Sequence, residues 1–235
     1  MACYKPVTHV IFDLDGTLLD TEEVFTTLYQ SIAEKYGKQL TWSQRAQAMG
    51  RPADEAVAFM IRELGLPISV QEFHHIARTE FHERIRDGLV GCQLKPGVER
   101  LVKHLRNNNV PLAIATSSKK ETFELKTKNH QELLSSFHHS VIAPSEPEVE
   151  RGKPAPDVFL VCARRFDEKP PPEKVLVIED APSGVQAAVA AGMQVVMVPD
   201  PRVDAKFCKS ATLVLKSLES FQPELFGLPP FTNDQ

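Results

Sequence analysis

Apolar residues recur in this chain with two different spacings. Short runs at 10–12, 111–115, 140–143, 175–178 and 195–198 are nearly continuous in Val, Ile, Leu, Ala and Phe, as strands covered on both faces are. Longer stretches carry apolar positions at helical spacing. In 21–36 these are Val24, Phe25, Leu28, Ile32 and Ala33, and Gly37 follows as a stop. The next fifty or so residues show no strand pattern. Helices are predicted at 43–49, 53–64 and 70–86, separated by Gly50-Arg51-Pro52 and Gly65-Leu66-Pro67. From Pro96-Gly97 onward helix and strand alternate, with helices predicted at 98–106, 121–134, 157–166 and 183–191. Alternation of this kind builds a parallel sheet with helices on both faces, a Rossmann-like α/β fold. The helical block at 20–95 then interrupts a core made of 1–19 and 96–235, as a small cap inserted between the first and second strands.

Composition narrows the partners. The 235 residues are 42% hydrophobic and 25% charged, which is enough for a real core. A net charge of -4 offers no basic footprint for a nucleic-acid backbone, so a small phosphorylated metabolite has to be held by local groups. No apolar stretch reaches the roughly 20 residues a spanning helix needs, and residues 1–6 lack the regions of a signal peptide. A cytoplasmic monomer without membrane or nucleic-acid partners is expected. Cys3, Cys92, Cys162 and Cys208 are scattered, which favours reduced thiols over a zinc site or a disulfide framework. His82-Glu83 is followed by Arg86 where a zinc-binding helix would need its second histidine.

The strand ends hold the chemistry. The first run stops at Asp13-Leu14-Asp15-Gly16-Thr17, and a core cannot hold two carboxylates uncompensated. Two acids spaced i and i+2 point to one side, where they can meet one hard cation and one phosphoryl group. The second strand runs into Thr116-Ser117-Ser118, whose hydroxyls and N–H groups can cradle phosphate oxygens. Lys153, flanked by Gly152 and Pro154, places a cation before a helix, where it can offset the repulsion between Asp13 and a dianionic phosphoryl group. The run 175–178 ends in Glu179-Asp180, an acidic pair best explained by metal ligation.

In this order, Asp-x-Asp-Gly-Thr, a strand-end Thr or Ser, a Lys before a helix and an acidic pair resemble the haloacid dehalogenase-like hydrolases over nearly the whole chain. The resemblance implies a phosphatase with Asp13 as nucleophile, Asp15 as general acid and base, and Thr116, Ser117 and Lys153 on the phosphoryl group. It implies Mg²⁺ on Asp13, the Asp15 main-chain carbonyl and Asp180, with Glu179 as a direct ligand or one step removed. Asp15 then needs surroundings that let it carry a proton near neutral pH. Arg51 stands where related caps face the substrate. Glu124-Leu125-Lys126-Thr127, Glu179-Asp180-Ala181-Pro182 and residues 191–200 are similar to the pseudouridine-5'-phosphatases and to plant glycerol-3-phosphatases. Two stretches depart from the pattern of those relatives: Ala143-Pro144-Ser145-Glu146, and Thr17 in place of Leu. A sugar-phosphate phosphatase, or a phosphosugar mutase using the same two aspartates, is the alternative.

Overall fold

A computed structural model describes residues 4–48, 53–86 and 92–231. Strands β1 (His9–Phe12), β2 (Leu112–Thr116), β3 (His139–Ile142), β4 (Val175–Glu179), β5 (Gln194–Met197) and β6 (Leu213–Val214) form one sheet in the order β3-β2-β1-β4-β5-β6. Every pairing in it is parallel. The helices are α1 (Glu22–Lys35), α2 (Trp42–Ala48), α3 (Ala53–Leu64), α4 (Val70–Arg86), α5 (Val98–Asn107), α6 (Lys120–Thr127), α7 (Gln131–Leu134), α8 (Asp157–Arg164) and α9 (Pro182–Ala190).

The strand period explains why the runs read as continuously apolar. Val10, Phe12, Leu112, Ile114, Leu176 and Ile178 point to one face, where α5 and the C-terminal segment cover them. Ile11, Ala113, Ala115, Val175, Val177 and Val195 point to the other, under α8 and α9. Both faces are therefore dry, and each fully buried Val, Leu, Ile or Phe contributes about 1.5–3 kcal/mol. Phe221 and Phe226 of the C-terminal segment lie within this core, and Tyr4 stacks on Phe226 at 4.7 Å.

Two local features differ from the spacing. The stretch expected as one helix at 121–134 is α6, a 3-10 turn at Lys128–His130, and α7. Strand β6 has no counterpart in the apolar spacing, because two residues carry no period. Its register comes from tertiary hydrogen bonds, Thr212 N–H to the Val195 carbonyl and Leu215 N–H to Met197, both 2.9 Å.

Helices α1 to α4 lie between β1 and β2 in the chain and share a separate apolar cluster, including Leu28, Ile32, Met60 and Phe73. The two crossings between insertion and sheet run side by side: Asp20 N–H donates to Gln93 at 2.8 Å and Lys95 N–H to Leu18 at 3.0 Å. Among the described residues no helix is long and apolar enough to cross a membrane.

Candidate active site

The strand order reverses about β1, which has β2 on one side and β4 on the other, so the C-terminal ends of these three strands form the switch point at which open parallel sheets bind their ligands. Asp13 follows β1 directly, its N–H donating to the Ile178 carbonyl at 3.0 Å. The chain then turns at Gly16, whose φ of +79° suits glycine. A Cβ there would also stand 2.2 Å from Asp180 Oδ2, so the turn and the acidic pair are packed together.

Lys153 brings three strand ends to one point. Its Nζ donates to Asp13 Oδ1 at 2.5 Å, to Glu179 Oε1 at 2.7 Å and to the Ala115 carbonyl at 3.3 Å. The second oxygen of Glu179 accepts the N–H groups of Asp180 (3.0 Å) and Ala181 (3.1 Å). Thr17, at one of the two departures from the relatives' pattern, donates its hydroxyl to Asp180 Oδ1 at 3.2 Å. Carboxylate oxygens of Asp13, Glu179 and Asp180 lie within 4.8 Å of one another, and all three residues are buried. One ammonium against three buried carboxylates leaves an excess of negative charge. Hard oxygen donors at this spacing fit a small divalent cation.

The electrostatics agree. Burial pushes Asp13 up to about 7, against the pull of Lys153 and with Glu179 and Asp15 adding to the rise. Burial also works against the Lys153 ammonium, but Asp13 and then Glu179 outweigh it and hold its pKa above the ordinary lysine value.

Thr116 is buried at the end of β2 and accepts the Ser118 N–H at 3.1 Å, while Ser117 is exposed beside it. Arg51 lies outside the described residues.

Asp15 is where the expectation needs correcting. Instead of surroundings that favour its protonated form, it has Lys126 Nζ at 2.5 Å from both carboxylate oxygens and the Ser118 hydroxyl donating to Oδ2 at 2.6 Å. Burial favours the neutral acid, but Lys126 and Ser118 outweigh it and hold Asp15 below the usual carboxylate range. Sequence reasoning named Ser118 only as part of a phosphate cradle and gave Lys126 no role. The available signal was faint: Lys126 lies three residues after Phe123, which packs against the core, and so on the inward side of α6.

Residues 10–198 match the sequence pattern of the haloacid dehalogenase-like hydrolases. The chain belongs to that family. It is 48% identical to the probable pseudouridine-5'-phosphatase of Drosophila melanogaster over 97% of both chains. Against the mitochondrial (DL)-glycerol-3-phosphatase 1 of Arabidopsis thaliana it is 47% identical, over 96% of this chain and 75% of the relative. A crystal structure of a hydrolase of this family from Deinococcus radiodurans, with bound phosphate and sodium, superposes with a TM-score of 0.74 at 27% identity, covering 96% of this chain and 99% of that one. Within the family, then, this hydrolase groups with phosphomonoesterases.

Proposed function

We propose that this hydrolase is a Mg²⁺-dependent phosphatase that forms an aspartyl-phosphate on Asp13 and acts on pseudouridine 5'-phosphate. The observation that carries the mechanism is the buried contact of Lys153 with Asp13 and Glu179 at the strand ends, beside Asp180. A carboxylate fixed by one ammonium is aimed and kept from being pushed aside by its acidic neighbours. Asp13 attacks phosphorus in line, and the ester P–O bond breaks as the Asp13–phosphorus bond forms. Asp15, ionised in the free protein, takes up a proton as the phosphoryl group binds, gives it to the departing alkoxide and takes one from the water that later displaces the phosphoryl group. Lys153, Thr116 and Ser117 hold the phosphoryl oxygens.

Asp13, the Asp15 main-chain carbonyl and Asp180 would hold Mg²⁺. Glu179 helps by anchoring Lys153 and the Asp180 backbone. When bound, the ion would supply positive charge against the repulsion that a dianionic phosphoryl group meets from these carboxylates. Arg51 is assigned to the leaving group on the helical insertion, which acts as a cap.

The substrate reading rests on similarity to the Drosophila protein. The nearly equal identity to the Arabidopsis glycerol-3-phosphatase favours glycerol 3-phosphate as the second reading. The test is inorganic phosphate release with Mg²⁺ from pseudouridine 5'-phosphate, uridine 5'-phosphate, glycerol 3-phosphate, 2-deoxyglucose 6-phosphate and β-glucose 1-phosphate, with Asp13→Asn as control. Preference for pseudouridine 5'-phosphate, abolished by Asp13→Asn, is expected. A preference for another ester keeps the mechanism and discards the substrate. Isomerised β-glucose 1-phosphate without phosphate release overturns hydrolysis in favour of a mutase.

A further inference from the structure

Lys126 is one of two lysines buried among the described residues, and the phosphoryl-binding reading uses only the other, Lys153. Its side chain is 0% exposed, so it cannot reach a substrate at the strand ends. Its three N–H donors have three acceptors: both oxygens of Asp15 and the hydroxyl of Ser118 at 2.6 Å. Ser118 donates its own hydroxyl to Asp15 Oδ2, so lysine, serine and aspartate close a ring of hydrogen bonds. Burying an ammonium is costly unless a carboxylate compensates it, and here the compensating carboxylate is the one beside the Asp13 nucleophile. The Lys126 ammonium also stands 5.8 Å from the centre of the Phe25 ring, on α1 of the helical insertion. The carboxylate of Asp15 is thus held by groups from α6 and the loop after β2, at a point that also touches the insertion.

We propose that Lys126 is a positioning residue for Asp15, with Ser118 as its second arm. Together they fix which carboxylate oxygen faces the bond to the leaving group. The inference rests on the reading of Asp15 as the group that handles protons in the reaction. In the first step the Asp13–phosphorus bond forms as the ester P–O bond breaks, and the proton that Asp15 has taken up as the substrate binds moves to the alkoxide. In the second a water oxygen bonds to phosphorus, the Asp13–phosphorus bond breaks and the water's proton goes to Asp15. A mispositioned Asp15 hurts the first step only when the leaving group needs a proton. An alkoxide needs one, whereas p-nitrophenolate does not.

The experiment compares Lys126→Met with wild type, as Mg²⁺-loaded full chains, on p-nitrophenyl phosphate and on the alkyl phosphomonoester that wild type hydrolyses fastest. We expect kcat/KM for the alkyl ester to fall by about 100-fold and that for the aryl ester by less than about tenfold, since general acid catalysis is worth at least the former. Slow water attack should also leave a burst of p-nitrophenolate stoichiometric with enzyme, as aspartyl-phosphate accumulates. A merely structural lysine would lower both esters equally without a burst. That result, or an alkyl loss under about threefold, overturns the inference. If circular dichroism shows Lys126→Met unfolded, Ser118→Ala decides instead. The same alkyl-over-aryl selectivity is expected, and equal losses or none overturn the inference. Wild-type protein silent on both esters would overturn the phosphatase reading itself, a failure distinct from an unselective variant of an active enzyme.

Discussion

Gly184→Ala sets a local preference against a buried network. Gly184 is the third residue of α9, and on helix propensity alone alanine gains about 1 kcal/mol over glycine. In this fold the added Cβ would stand 1.7 Å from Glu179 Oε1 and 1.9 Å from its carboxyl carbon. The carboxylate cannot simply swing aside. It is 1% exposed, one oxygen takes Lys153, and the other takes two backbone N–H groups. Hydrogen bonds to charged groups are worth about 1.5–3 kcal/mol each, so losing one or two of the three costs about 1.5–6 kcal/mol. Subtracting the helix gain leaves a net loss of about 0.5–5 kcal/mol. For a chain of this size that lowers Tm by roughly 1–20 °C. Thermal unfolding followed by circular dichroism at neutral pH reads the change. A Tm equal to or above that of wild type would refute the close packing of Glu179 on Gly184 and the claim that this contact holds Lys153 in place.

Two more outcomes follow from the same geometry. Because burial raises Asp13 to about 7 and a cation needs it ionised, apparent Mg²⁺ affinity should fall by up to about tenfold per pH unit below 7, with proton uptake on metal removal. Calorimetric titration giving the same affinity from acid to neutral pH would contradict this. Arg202 stands 3.6 Å over the ring of Trp42 in α2, and 3.9 Å from Glu23 in α1, so it ties the loop after β5 to the helical insertion. Arg202→Ala removes about 0.5–2 kcal/mol of attraction. The emission of Trp42, the single tryptophan, should shift to the red and become easier to quench, and an unchanged spectrum would refute the contact.

The local pattern of the chain carried the architecture because each decision was made within a few residues. The runs at 10–12 and 175–178 are apolar at every position because both sheet faces are covered, and Val10 and Ile11 serve opposite cores. Asp13, Lys153, Glu179 and Asp180 were legible for the converse reason: charges at the ends of such runs have no local way to be satisfied, so each announces a partner elsewhere. The chain pattern could not supply the partner's identity. Asp15 and Lys126 are 111 residues apart, and an isolated lysine on a short helix looks the same whether it faces water or a carboxylate. The two-residue β6 exists only because β5 offers it an edge, and Gly184 reads as a weak helix position until the Glu179 carboxylate is seen against it. Sequence by itself determined the order of the polar groups along the chain, Asp13 first and the Glu179-Asp180 pair last. Only the tertiary structure decided the partners of Asp15 and the direction in which they pull its carboxyl, since both depend on the distances at which distant charges finally meet.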